Sequence, residues 1–227
     1  MSIIYHITAL QMTIYFNKEG DHDHNGLLFV LNENLPILKY IRAILIKAED
    51  NNAEDPDIYY QDAQVRANDI GVTIPLGTND QRLAMARQPH PLVRPLVLRC
   101  NKGDTVTVHL KNEIKERWIG LHLVGDGYDV VSDDGSHVGD NPNSLVMPGG
   151  KKTYTFTCQH EGVFPFHDGG NYSGGEDGTN VHGLFGALIV EPENTIWRDP
   201  VTGRKSREKK PGTEEFIIVP LMVFIWM

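Results

Sequence analysis

Two short stretches carry the residue types and spacing that metal chemistry requires: Gly120-Leu121-His122-Leu123-Val124-Gly125 and Phe164-Pro165-Phe166-His167-Asp168-Gly169. Side chains two apart on a β-strand share a face, so a His-x-His pair on a strand aims two imidazoles at one metal ion. Each stretch keeps its first histidine and replaces the second, by Val124 in one and by Gly169 in the other. Half of the nitrogen donors of two chelating pairs are present, and His122 and His167 are the candidate metal ligands.

Other histidines and acids are weaker candidates. His160, two residues after Cys158, and His182, in Asn180-Val181-His182-Gly183, reach the pair only if their loops fold toward it, and each reads as structural. His137, after Asp133-Asp134-Gly135, reads as solvated, as do the acidic pairs Asp133-Asp134 and Glu176-Asp177. Asp21-His22-Asp23-His24-Asn25-Gly26 resembles the first half of a calcium loop, with oxygen donors at positions one, three and five before a glycine. Position twelve is Asn32 where a bidentate glutamate is needed, so a polar hairpin turn is the better reading. Cys100 and Cys158 lie in strand-like runs, which suits two buried thiols or one mutual disulfide. Neither stands in a Cys-His-x-x-x-His-x-x-x-Met arrangement, so no complete mononuclear electron-entry site is expected.

The elements that must position these residues are strands. Thirteen prolines, 22 glycines and many short Val/Ile/Thr/Tyr/Phe runs indicate a mainly β chain. The pattern predicts a first strand within Ile3–Phe16, a turn through Gly20–Gly26, a second strand at Leu27–Leu31 and a short helix at Leu35–Ala48. Residues 49–91 are polar and proline-punctuated and read as a long irregular insertion, with one helical turn near Asp80–Arg87. Strands follow at Leu96–Cys100, Thr105–Lys111, Trp118–Val124, Lys152–Cys158, Gly162–His167 and Leu184–Glu191, at the spacing of a Greek-key β-sandwich.

Composition narrows the function classes. A chain of 227 residues with 40% hydrophobic and 22% charged residues can bury a full core. A formal charge of −9 disfavours nucleic acid, and the one basic cluster, Arg204 to Lys210, lies in a Gly/Pro-bounded linker. Phosphate loops and nucleophile or paired-carboxylate arrangements are not found. The first residues lack the basic and apolar regions of a secretory signal, and the apolar run Phe216–Met227 is too short to span a bilayer.

The order of motifs resembles a known family. Asn101-Lys102-Gly103-Asp104-Thr105-Val106-Thr107-Val108, Leu121-His122, Met147-Pro148-Gly149-Gly150, Tyr154-Thr155-Phe156 and Gly183 to Val190 stand in cupredoxin order, and Val93 to Pro192 look like a multicopper oxidase domain. Asn17 to Asp23, Tyr128-Asp129-Val130 and Phe166-His167-Asp168 resemble, more loosely, the N-terminal domain of large bacterial multicopper oxidases of the manganese-oxidising type.

The resemblance implies a cupredoxin-like Greek-key sandwich with an N-terminal extension and a loop and short-helix insertion. Residues 1–92 would be N-terminal strands plus the insertion packing on the sandwich, 93–192 the core, 193–214 a linker and 215–227 the start of an incomplete following domain. It implies an oxidase that takes electrons from a metal ion or phenolic substrate and reduces dioxygen with copper. By this resemblance His122 and His167 would correspond to the first histidines of the family's two His-x-His pairs. Two imidazoles under-coordinate a cluster, so the partners expected are copper ions and downstream cupredoxin domains, and the isolated chain is expected to be inactive. The alternative is a non-catalytic cupredoxin-like metal-binding or assembly module. A cell or spore surface is the location the resemblance suggests.

Overall fold

Strand β6 (Thr105–Asn112, TVTVHLKN) shows how sequence becomes sandwich: Val106, Val108 and Leu110 are buried, while the residues between them are half-exposed. That alternation is what one covered sheet face demands. The structure, a computed structural model, describes residues 1–125, 127–171 and 174–195.

Among the described residues, two four-stranded sheets form. The first comprises β1 (Ser2–Gln11), β4 (Leu27–Leu31), β6 and β8 (Lys151–Thr157), in the order β4-β1-β6-β8. The second comprises β5 (Leu96–Asn101), β7 (His122–Leu123), β9 (Gly162–His167) and β10 (Phe185–Glu191), in the order β5-β10-β9-β7. Strands β1 and β6 run parallel, as do β5 and β10, and the other neighbours are antiparallel. A small hairpin, β2 (Ile14–Tyr15) with β3 (His22–Asp23), stands apart from both sheets.

One apolar cluster joins the sheets, with Val106, Val108, Tyr154 and Phe156 from the first and Leu98, Phe166, Leu188 and Val190 from the second. Tyr5 on β1 sends its hydroxyl 2.6 Å to the Arg99 carbonyl on β5 and so links the sheets. The mainly β, cupredoxin-like sandwich expected from the sequence is present. Strand β1 is an interior strand of the first sheet, so residues before 93 build the sandwich itself.

A second cluster lies on the other side of the first sheet. Leu10, Leu28 and Val30 pack there with Ile37, Leu38, Ile41, Ile44 and Leu45 of helix α1 (Leu35–Glu49). Strand β4 is thus buried on both faces, which accounts for its unbroken LLFVL run. The insertion is helical where an irregular segment was expected. Helix α2 (Asp57–Ile70) follows α1, and α3 (Asn79–Ala86) matches the expected turn, opened by a Thr78/Gln81 capping box. Helix α2 ends at Gly71, whose φ of 69° supplies the left-handed cap. The expected strand Trp118–Val124 is shorter than predicted: only His122–Leu123 pair as strand, and Ile119 makes an isolated bridge to Val146. Cys100 and Cys158 are two buried thiols. The linker and terminal segment expected at 193–227 lie, beyond residue 195, outside the described residues.

Candidate metal centre

The site grows from the register of β7 against β9. His122 stands directly opposite His167, and Leu123 opposite Phe166. Leu121, Leu123 and Phe166 are buried in the core, so alternation turns both histidines to the other face of the sheet, where each is half-buried. Their ring centres lie 5.1 Å apart.

Each imidazole is oriented through Nδ1. His122 Nδ1 donates to the Asp134 carbonyl at 2.8 Å, and His167 Nδ1 donates to the Asp168 carbonyl at 2.9 Å. A carbonyl can only accept, so Nδ1 carries a hydrogen in both rings, and in the neutral imidazole the lone pair then falls on Nε2, as in metal-binding imidazoles. Burial lowers the His167 pKa, and the neighbouring His122 adds to the lowering, which favours the neutral ligand form. The Asp134 carboxylate also lies 3.4 Å from His122 Nδ1, and the edge of Tyr128 closes over the ring at 6.2 Å.

Asp168 fastens the two strands together. Its fully buried carboxylate accepts from Gly120 N (2.7 Å), Gly170 N (2.8 Å), Asn171 N (3.1 Å) and the Thr179 hydroxyl (2.7 Å). The neighbours of His122 and His167 are thereby tied to one group.

The places of the absent second histidines differ. Val124 is exposed and open to substitution. Gly169 is closed by the loop that follows β7: a Cβ there would stand 2.2 Å from the Gly135 carbonyl oxygen. The same oxygen would be 1.7 Å from a Cβ on Gly120, so this loop lies directly on the backbone of both histidine strands. Asp134 was read from the sequence as a solvated charge; it is half-buried and orients His122. No local pattern marks that role, because its carbonyl does the work and any residue has one.

His182 does not join the pair. Its Nδ1 contacts the Asp23 carboxylate at 2.7 Å and its Nε2 the Glu176 carbonyl at 2.7 Å. His137 and His160 are exposed. Among the described residues no group of three or more His, Cys, Asp or Glu side chains is placed to hold a metal ion. The residues present fit copper as part of a ligand set, with two soft-to-borderline nitrogen donors on one face, and leave its other positions to groups outside this arrangement.

Residues 91–195 match the family model described as multicopper oxidase. Over 101 residues the chain is 30% identical to the iron transport multicopper oxidase fetC of Epichloe festucae, covering 42% of this chain and 14% of that protein. It is 32% identical over 103 residues to Laccase-1 of Cryptococcus neoformans var. neoformans, covering 43% of this chain and 15% of that one. A probable nitrite reductase-hydroxylamine oxidoreductase fusion protein of Kuenenia stuttgartiensis is 31% identical over 129 residues, 56% of this chain and 13% of its own length. The chain therefore spans about a seventh of the length of these curated relatives. Among solved structures, a multi-copper oxidase from Pseudomonas thermotolerans aligns with a TM-score of 0.46 and 16% identity, over 87% of this chain and 31% of that one. Copper is the cofactor this family implies, and the sequence matches support a multicopper oxidase cupredoxin-like domain over residues 91–195.

Proposed function

We propose that this chain is one module of a multicopper oxidase, N-terminal in a large enzyme of the manganese-oxidising type, and that it contributes His122 and His167 as two of the ligands of a copper site shared with another cupredoxin domain. The observation that carries the reading is the pair itself: two imidazoles in register, both turned by carbonyl acceptors so that Nε2 carries the lone pair. Copper, when bound, supplies one-electron transfer from a metal ion or phenolic substrate toward dioxygen. The chain's own part is to present two imidazole nitrogens at fixed separation, with Asp134 and Asp168 holding their orientation. Two donors leave a copper ion under-coordinated, so oxidase turnover depends on the partner domain and the chain is inactive without it.

Two measurements test this. The coding sequence beyond codon 227 is expected to carry intact His-x-His pairs and a Cys-His-x-x-x-His run; a stop followed by unrelated sequence removes the reading. Copper titration of the purified chain is expected to show weak uptake that His122→Ala and His167→Ala each reduce. Uptake unaltered by both substitutions would remove these residues as ligands.

A non-catalytic module is the second reading. It is favoured by one observation, the Gly135 carbonyl occupying the space that a side chain at Gly169 would need.

A further inference from the structure

The small hairpin β2–β3 contains an intact His-x-His sequence, His22-Asp23-His24, that the calcium-loop reading passes over. Its oxygen donors are committed elsewhere. Asp21 Oδ2 accepts from Asn17, Asp23 Oδ1 accepts from the Asn25 N–H, and Asp23 Oδ2 contacts His182 Nδ1. The imidazoles are exposed, and the bond their Nε2 atoms make is to each other, a hydrogen bond of 2.9 Å.

The spacing of the two Nε2 atoms is that of two cis ligands on one ion. His22 Nδ1 donates to the Gly20 carbonyl at 2.7 Å, so in the neutral ring the His22 lone pair is on Nε2 and accepts from the His24 Nε2–H. Two nitrogens bound cis to a metal at about 2.05 Å with a right angle between them stand about 2.9 Å apart, whereas a tetrahedral angle separates them by about 3.3 Å. The ring centres are only 4.3 Å apart, with planes at 89°. A collinear N–H···N bond of the same length would hold the centres about 5 Å apart. The hydrogen bond between the rings is therefore bent, and a metal ion that takes both nitrogens replaces its shared proton.

We propose that His22 and His24 form a second, peripheral binding site for a borderline divalent cation that prefers right-angled nitrogen coordination, Cu2+ foremost and Ni2+ next, separate from the His122/His167 pair. Two protein donors leave the remaining positions to water, so the ion is exchangeable cargo and not a structural cofactor. Tyr15, whose ring lies 4.9 Å from that of His22, and the Asp23 to His182 contact hold the hairpin in place around it.

Titration of the whole chain with Cu2+ alone and with Ni2+ alone, read by calorimetry and by nitrogen hyperfine structure in the Cu2+ spectrum, tests the proposal. Binding of about one equivalent by the His122→Ala/His167→Ala double variant, with a two-imidazole signature, is expected, and His22→Gln or His24→Gln should weaken it at least tenfold. Both residues are exposed, so these variants should fold, and unchanged circular dichroism verifies it. An unchanged affinity in His22→Gln and His24→Gln, or no binding once His122 and His167 are gone, overturns the site. The His122/His167 reading is judged separately, on the chain that carries His22→Gln and His24→Gln.

Discussion

The Gly135 carbonyl oxygen lies where a Cβ on Gly169 would have to go, 2.2 Å from it. The second His-x-His frame is therefore incomplete for a steric reason as well as a chemical one. The loop that orients His122 through Asp134 is seated on the backbone that a histidine at 169 would need.

Restoring the two absent histidines should accordingly have unequal effects. Gly169→Ala is expected to cost about 1–3 kcal/mol, because the neighbour it meets is backbone, which cannot swing aside. Gly169→His should cost at least as much. Val124→His, at an exposed position, should stay within about 0.5 kcal/mol of the parent. Urea denaturation of the three variants measures this, and a stable Gly169→His protein would show that the loop moves readily.

Asp168 makes the next prediction. Four donors converge on its buried carboxylate, and an amide at this place would turn an NH2 group toward at least one of them. Asp168→Asn should lose about 1–3 kcal/mol or more, with Asp177→Asn, whose side chain is 94% exposed, as the neutral control. Since Gly120 and Gly170 flank the histidine strands, the variant should also broaden the ring signals of His122 and His167. Unperturbed signals in a destabilised variant would confine Asp168 to stability.

The sandwich was legible where burial is one-sided. Strand β6 alternates cleanly, and the Gly-Asp turn before it and the run Gly183–Val190 each fell where a strand begins or lies. Helix α2 was not legible because its only fully buried residues are Ala63 and Ala67, which pattern reading does not count as an apolar stripe. The interior place of β1 was equally hidden, since parallel pairing with β6 is a long-range choice that no local pattern records. At the site, His122 and His167 were visible as spaced residues. The fastening by Asp168 and Asp134 depends on backbone groups 48 and 12 residues away along the chain.

Helix packing supplies a test away from the site. Tyr40, fully buried on α1, donates to the Pro75 carbonyl at 2.9 Å, closing the segment between α2 and α3 onto the helix layer. Tyr40→Phe keeps the ring and leaves that carbonyl without its partner, which should cost about 1–2 kcal/mol. A loss below about 0.3 kcal/mol in thermal unfolding would mean that water replaces the hydroxyl.

His90 provides the pH-dependent prediction. The Leu92 N–H donates to Nδ1 at 3.2 Å, and Nε2 donates to the Thr73 carbonyl at 3.2 Å, so the ring is neutral as bonded. Burial holds its pKa below the ordinary 6.5, although the Thr73 carbonyl pulls the other way. Between the unfolded and folded values the unfolded chain binds more protons, so stability falls as pH falls. The contribution is whole above about pH 6.5, declines as pH drops through the folded value, and changes no further below it. Urea midpoints measured from about pH 7 to about pH 5 should fall in the parent and fall less steeply in His90→Gln. His167, lowered in the same sense by burial, leaves a residual slope in that variant. Equal slopes in parent and variant would show that the Leu92 N–H bond does not hold His90 neutral.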